Sequence, residues 1–147
     1  MEICSIGTSG ISAREFFGLL KENEVSCIVD TRLHASSQLA GFSRKDSLAY
    51  FADEILNITY IHELSLAPEA HMLKAYRNKQ IDWQTYEIAY VELLKTRCVP
   101  ESIDLKVWGE RPVLLCSENI ADHCHRRLAA DFIATHLDGA VSSIRHL

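Results

Sequence analysis

Short apolar runs, each closed by polar residues and followed by a stretch with helical spacing, constrain this chain more than any single motif does. They occupy residues 3–6, 25–29, 58–61, 113–116 and 141–144. Most lack the apolar–polar alternation of a strand with one wet face, so they read as strands covered on both sides. Strands of this kind alternating with helices predict an α/β fold. The expectation is a single three-layer domain over residues 1–147, with a mostly parallel, roughly five-stranded sheet flanked by helices.

The intervening segments carry helix signals. Ser12-Ala13-Arg14-Glu15 has the pattern of a capping box, with Phe16, Leu19 and Leu20 following at helical spacing and an end near Asn23. A polar loop over residues 34–43 leads to a helix carrying Leu48, Phe51, Ile55 and Leu56. Residues 67–97 read as two helices broken near 78–82. Tyr86, Ala89, Tyr90, Leu93 and Leu94 form an apolar stripe there, read as core packing rather than a cofactor box. After a connector over 100–112 and the fourth strand, a helix is predicted over 122–137. Leu128, Ala129, Phe132, Ile133 and His136 share one of its faces, and Gly139 ends it.

With 147 residues, 48% hydrophobic and 24% charged, the chain has the size and composition of one ordinary globular domain. No run approaches the roughly 18 apolar residues of a membrane span. Met1-Glu2-Ile3 lacks the basic start of a secretory signal, and the five cysteines are odd in number without regular pairing. The expectation is a cytoplasmic protein with free thiols. A net charge of −5 gives no global attraction to nucleic acid, so anion binding must come from local arginines and helix ends.

Polar residues gather behind the strands. Gly7, Thr8 and Ser9 follow the first, Asp30 and Arg32 the second, His62 and Glu63 the third, and Cys116, Ser117 and Glu118 the fourth. In an open parallel sheet these positions share the carboxyl edge, where ligands bind. Helix starts at Ser12 and Asp122 face the same edge and favour phosphate or carboxylate, with Arg32, Arg126 and Arg44 as charge-assisted donors. Known phosphate loops are absent. There is no G-x-x-x-x-G-K-[ST], Gly7 to Gly10 is not a dinucleotide fingerprint, and neither Cys116 nor Cys124 has an arginine six residues on.

The segment 113–132, VLLCSENIADHCHRRLAADF, is the densest in reactive side chains. With Asp122 as N-cap, Cys124 falls in the first helical turn beside Arg126 and Arg127. Its thiol is there a candidate nucleophile with lowered pKa, or else a small buried hydrophobe. Cys116, Cys124, His125 and His123 are suitable zinc ligands by type but lack a short C-x2-C pair, and no metal is assigned. Arg126 reads as an anion clamp. His125 and His62 are acid–base candidates or structural histidines. Glu118 and Asp30 are candidates for proton transfer, unless Arg32 holds Asp30 in a salt bridge. Cys4, Cys27 and Cys98 look structural.

In order along the chain, these segments resemble the prokaryotic family of domain of unknown function DUF488 over nearly the full length. Ile6-Gly7-Thr8-Ser9 is similar to the family's IGHS, with Thr8 in place of the usual histidine. Val29-Asp30-Thr31-Arg32 resembles VDVR, and Phe42-Ser43 falls where an aromatic and a small polar residue follow the loop. Ile58-Thr59-Tyr60-Ile61-His62 with Glu63-Leu64 resembles I-x-Y-x-H…EL, with Ser65-Leu66 where a glycine pair often follows. Cys116-Ser117-Glu118 with Cys124-His125-Arg126 resembles C-x-E…CHR. The resemblance implies a compact α/β domain and a polar site built from these segments, and no particular activity.

The function expected from the residues is an enzyme of hydrolysis or group transfer on a phosphorylated or nucleotide-like ligand at the carboxyl edge. Gly7, Thr8, Ser9, Arg32, His62, Cys116 and Arg126 would hold the ligand. Glu118, Asp30, Cys124 and His125 would carry the chemistry. The alternatives are a non-catalytic module binding a ligand or a partner, and a Cys/His metal protein. No cofactor, membrane contact or oligomeric state is indicated, and the acidic chain argues against nucleic acid.

Overall fold

The computed structural model describes residues 1–36 and 41–147. Its strands are β1 (Glu2–Gly7), β2 (Cys27–Asp30), β3 (Thr59–His62), β4 (Pro112–Cys116) and β5 (Ser143–His146). They form one five-stranded sheet in the order β3-β2-β4-β1-β5, and every adjacent pair is parallel. The helices are α1 (Ala13–Glu22), α2 (Lys45–Leu56), α3 (Ala70–Arg77), α4 (Trp83–Thr96) and α5 (His125–His136).

Alternate strand residues feed two cores. Cys4, Ile6, Ile28, Val113 and Leu115 pack with Phe16, Phe17 and Leu20 of α1 and with Leu48 and Ala52 of α2. Ile3, Cys27, Val29 and Leu114 pack on the other face with Tyr86, Tyr90 and Leu94 of α4 and with Leu128, Phe132 and Ile133 of α5. Both faces of the sheet are thus covered, which is why the strand runs are continuously apolar. The chain leaves β1 through α1 on one face and β4 through α5 on the other. The topological switch therefore lies between the carboxyl ends of these neighbouring strands, the usual place for a ligand in such sheets.

Local signals set the helix ends. Ser12 caps α1 by accepting from the Glu15 N–H while Glu15 bonds the Ser12 N–H, completing the capping box. Asp82 caps α4 by accepting from the Thr85 N–H at 2.8 Å. Residues 67–97 do break near 78–82, but α3 begins only at Ala70. Ile55 of α2 is 53% exposed, off the apolar face expected for it. Only part of the polar loop expected over residues 34–43 is described, since residues 37–40 lie outside the described residues.

Several boundaries move, the second strand to Cys27–Asp30 from residues 25–29 among them, and two of the shifts matter for the site's surroundings. The last strand begins at Ser143 rather than at residue 141, because Ser142 N–H bonds Met1 O at 2.8 Å and β1 then sets the register, pairing Glu2 with Ser143. The last helix begins at His125, with Cys124 as its extended N-cap, rather than at Asp122. Residues 121–124 make a turn instead, in which Cys124 N–H bonds Ala121 O at 3.1 Å. The cause lies beneath the turn, where Arg126 grips the carbonyls of Glu118 and Asn119 and delays helix entry.

Candidate active site

The parallel registers bring Gly7 opposite Cys116, and Asp30 opposite both Leu115 and His62. The ends of β1, β4, β2 and β3 thus form one continuous edge, and two polar networks occupy it.

The first surrounds the buried Arg126. Its Nη1 donates to Cys116 Sγ at 2.7 Å, lies 3.7 Å from Cys124 Sγ, and also donates to the Glu118 carbonyl. Its Nη2 donates to Asn119 O at 2.9 Å and its Nε to Ser5 Oγ at 3.2 Å. Arg126 is 1% exposed, and among the described residues no carboxylate forms an ion pair with it. A buried guanidinium needs a counter-charge. The acidic groups in its reach are the two thiols, whose Sγ atoms lie 2.9 Å apart.

That spacing suits one proton between two sulfurs. Cys124 is held well below the ordinary thiol range, first by the hydrogen bond from Cys116, against the cost of burial, and then by His125 and Arg126. Its place as N-cap of α5 adds the positive helix end. Burial pushes Cys116 far up, and the charge on Cys124 adds to this against Arg126. The guanidinium is nearer Cys116, but His125 and the helix end act on Cys124. These causes favour the charge on Cys124 over Cys116.

The second network fixes the end of β2. Arg32 pairs with Asp30 through Nε at 2.8 Å and Nη2 at 2.6 Å, and Nη2 also donates to Ser43 O. Tyr60 Oη donates to Asp30 Oδ2 at 2.5 Å. Burial first, and then the Asp30 charge, keep the Tyr60 hydroxyl protonated. Arg32 Nη1 is buried without a hydrogen-bond partner among the described residues. His62 Nε2 lies 2.7 Å from Arg32 O. Thr31 joins the networks: its hydroxyl donates to Leu115 O at 2.8 Å, and His125 Nε2 lies 3.0 Å from both its hydroxyl and its carbonyl oxygen.

The structure gathers Cys116, Cys124, His125 and Arg126 and places Asp30, Arg32 and His62 beside them. Glu118 enters this assembly by its backbone, and its side chain is exposed. The N–H groups of Thr8 and Ser9 are taken by Cys116 O at 3.2 Å and Ser117 O at 3.1 Å. What Thr8 offers a ligand is therefore its hydroxyl, and Thr8 is 4% exposed. Gly7 is where the β4–α5 loop touches β1: a Cβ there would lie 1.9 Å from Glu118 O. Among the described residues, no three His, Cys, Asp or Glu side chains converge as metal ligands. His123 instead lies against the Trp83 ring, with centroids 5.0 Å apart.

No pattern in the sequence marks Ser5, Thr31 and Tyr60 enter only as positions within family-like motifs, and Tyr90 reads as core packing alone. Ser5 sits inside an apolar strand, where a hydroxyl facing an arginine leaves no trace in the periodicity. Tyr60 alternates with apolar neighbours as any strand tyrosine does. Tyr90 Oη bonds Leu66 O at 2.6 Å, and its ring packs edge-on to His125 at 5.8 Å. Among the described residues, no helix is long and apolar enough to cross a membrane.

A family model described as "Domain of unknown function DUF488" matches residues 12–133 of the 147. The matched span includes Asp30, Arg32, Tyr60, His62 and the whole Cys116–Arg126 segment. It begins after Gly7, Thr8 and Ser9. No curated protein and no solved structure matches the chain.

Proposed function

Since the chain belongs to the DUF488 family, whose description carries no activity, we propose a function from the site itself: an enzyme that uses the Cys124 thiolate for group transfer or hydrolysis on a small anionic ligand. One observation carries the reading. Arg126 is buried, forms no ion pair with a carboxylate among the described residues, and reaches both thiols of a pair, Cys116 Sγ at 2.7 Å and Cys124 Sγ at 3.7 Å. A structural cysteine needs no such charge; a nucleophile does.

In the proposed reaction the Cys124 sulfur attacks the transferred group and forms a bond to it. The leaving group departs with its bonding pair and takes a proton from His125. Water or an acceptor then displaces the sulfur and returns the proton. The anionic character of the ligand rests on Arg32 Nη1, unpartnered among the described residues, and on the start of α5. Phosphorylated or nucleotide-like compounds are the class that fits. A reducing compartment, such as cytoplasm, suits a site that needs a free thiolate.

A second reading is favoured by burial. Cys116 is 0% and Cys124 2% exposed, which suits a binding module whose thiols only brace the strand ends. Turnover separates the two. Nucleoside phosphates and aryl phosphates are offered to the wild type and to Cys124→Ser. Product formation that disappears in the variant supports the enzyme. Binding without product in the wild type favours the module. Undiminished turnover in Cys124→Ser removes the thiolate from the mechanism.

A further inference from the structure

We infer that Cys116 and Cys124 form a reversible dithiol–disulfide couple, oxidised by hydroperoxides, which switches the site off. This rests on the thiolate reading above and adds what that reading leaves idle, the second sulfur. A nucleophile alone needs one cysteine, a helix end and a cation. Here a second thiol lies 2.9 Å from the first, at the end of β4, while Cys124 opens α5. Neither sulfur has to travel far, since a disulfide bond is about 2.05 Å long. Both strand end and helix cap are held in place by the same arginine.

The two cysteines have separate roles. Cys124 carries the charge and reacts first. Its thiolate gives an electron pair to the nearer peroxide oxygen, and the O–O bond breaks. The departing alkoxide or hydroxide takes a proton from solvent, leaving Cys124 as a sulfenic acid. The Cys116 sulfur then attacks Cys124 sulfur: the S–S bond forms, the S–O bond breaks, and hydroxide leaves with the Cys116 proton as water. An external dithiol reverses the step by exchange. Cys116 is prepared for its part by Arg126 Nη1 at 2.7 Å, which stabilises the thiolate it must become.

The other cysteines lack this arrangement. Cys27 is buried and pushed up to about 11, and burial likewise raises Cys4. Cys98 is exposed but has no thiol partner. Burial of the pair, with Cys116 0% and Cys124 2% exposed, favours small reagents such as hydroperoxides over bulky disulfides. Closing the bridge removes the negative charge beside Arg126. The guanidinium is then held by carbonyls and Ser5 alone, so the oxidised form is the less stable one and dithiols reduce it readily.

The test uses the whole chain in a Cys98→Ser background, treated with hydrogen peroxide in slight excess. The intact mass should fall by two hydrogens. Peptide mapping should find Cys116 joined to Cys124, and dithiothreitol should restore the starting mass. Cys116→Ala should stop at a sulfenic acid on Cys124 that dimedone traps, and Cys124→Ala should stay unoxidised. Mapping on the intact pair needs no folded variant. Peroxide that leaves the mass unchanged, or that adds oxygens to Cys124 without a bridge, overturns the inference. The ultraviolet absorbance of the thiolate at neutral pH is read in the same sample. If it is present without a bridge, the couple fails and the nucleophile stands; if it is absent, the nucleophile fails too.

Discussion

Gly7 and the Glu118 carbonyl meet with no room for a side chain: a Cβ on residue 7 would lie 1.9 Å from that oxygen, which Arg126 also holds. Gly7→Ala must therefore push the β4–α5 loop off β1 and loosen the grip of Arg126. The expected loss of stability is about 1–3 kcal/mol, as for other overpacked interiors, read as a lower urea midpoint. The thiolate of Cys124 should also titrate at higher pH in this variant. A stable Gly7→Ala protein with unchanged thiolate absorbance would separate Gly7 from the site.

Asp30 and Arg32 form a buried pair closed by Tyr60, with Asp30 0% and Arg32 3% exposed. Removing one charge strands the other, so Asp30→Asn should cost on the order of 3–5 kcal/mol. Asp30→Asn with Arg32→Gln should cost clearly less than the sum of the single changes, since neither charge is left alone. Additive losses in urea unfolding would mean that the two residues act independently.

The fold was legible in the sequence because burial on both faces leaves its mark on the central strands: residues 113–116 are apolar throughout since α1 and α2 cover one side and α4 and α5 the other. Edge strand β5 was the least legible, because Val141 and Ile144 carry its apolar signal while pairing to β1 sets its start. At the site, strand ends gave away Asp30, Arg32, His62 and Cys116, since polar residues directly after buried strands share an edge by topology alone. The pairing of Cys116 with Cys124, and the return of Arg126 beneath its own loop, depend on tertiary geometry. Asp122 resembles an N-cap by residue type, but Arg126 holds the loop back and hands that position to Cys124, which caps nothing with its side chain.

The thiol pair makes stability depend on pH. Cys124 has a folded value below its unfolded one, so its contribution is complete above the unfolded thiol value of about 8.5. It is lost as pH falls from there toward the folded value. Cys116 is raised instead, so above about pH 8.5 the unfolded chain ionises first and stability declines. Thermal midpoints of the wild type and Cys124→Ala should thus differ most near that pH and converge on acidification toward about 5. A difference independent of pH would show that Cys124 is folded as a neutral thiol.

Arg126 acts on that charge state beside Cys116 and His125, and two substitutions divide its roles. Arg126→Lys keeps a cation, but an ammonium lacks the planar fork that serves Ser5, Cys116, Glu118 and Asn119 together. It should keep part of the thiolate while the urea midpoint falls. Arg126→Met fills similar volume without charge, leaves the loop carbonyls unpaired, and removes the counter-ion that lets one thiol ionise in a buried site. Its thiolate absorbance should appear only at clearly higher pH than in the wild type, and its urea midpoint should fall as well. If Arg126→Met still shows the thiolate below neutral pH, His125 and the start of α5 suffice for ionisation, and Arg126 is a loop anchor alone.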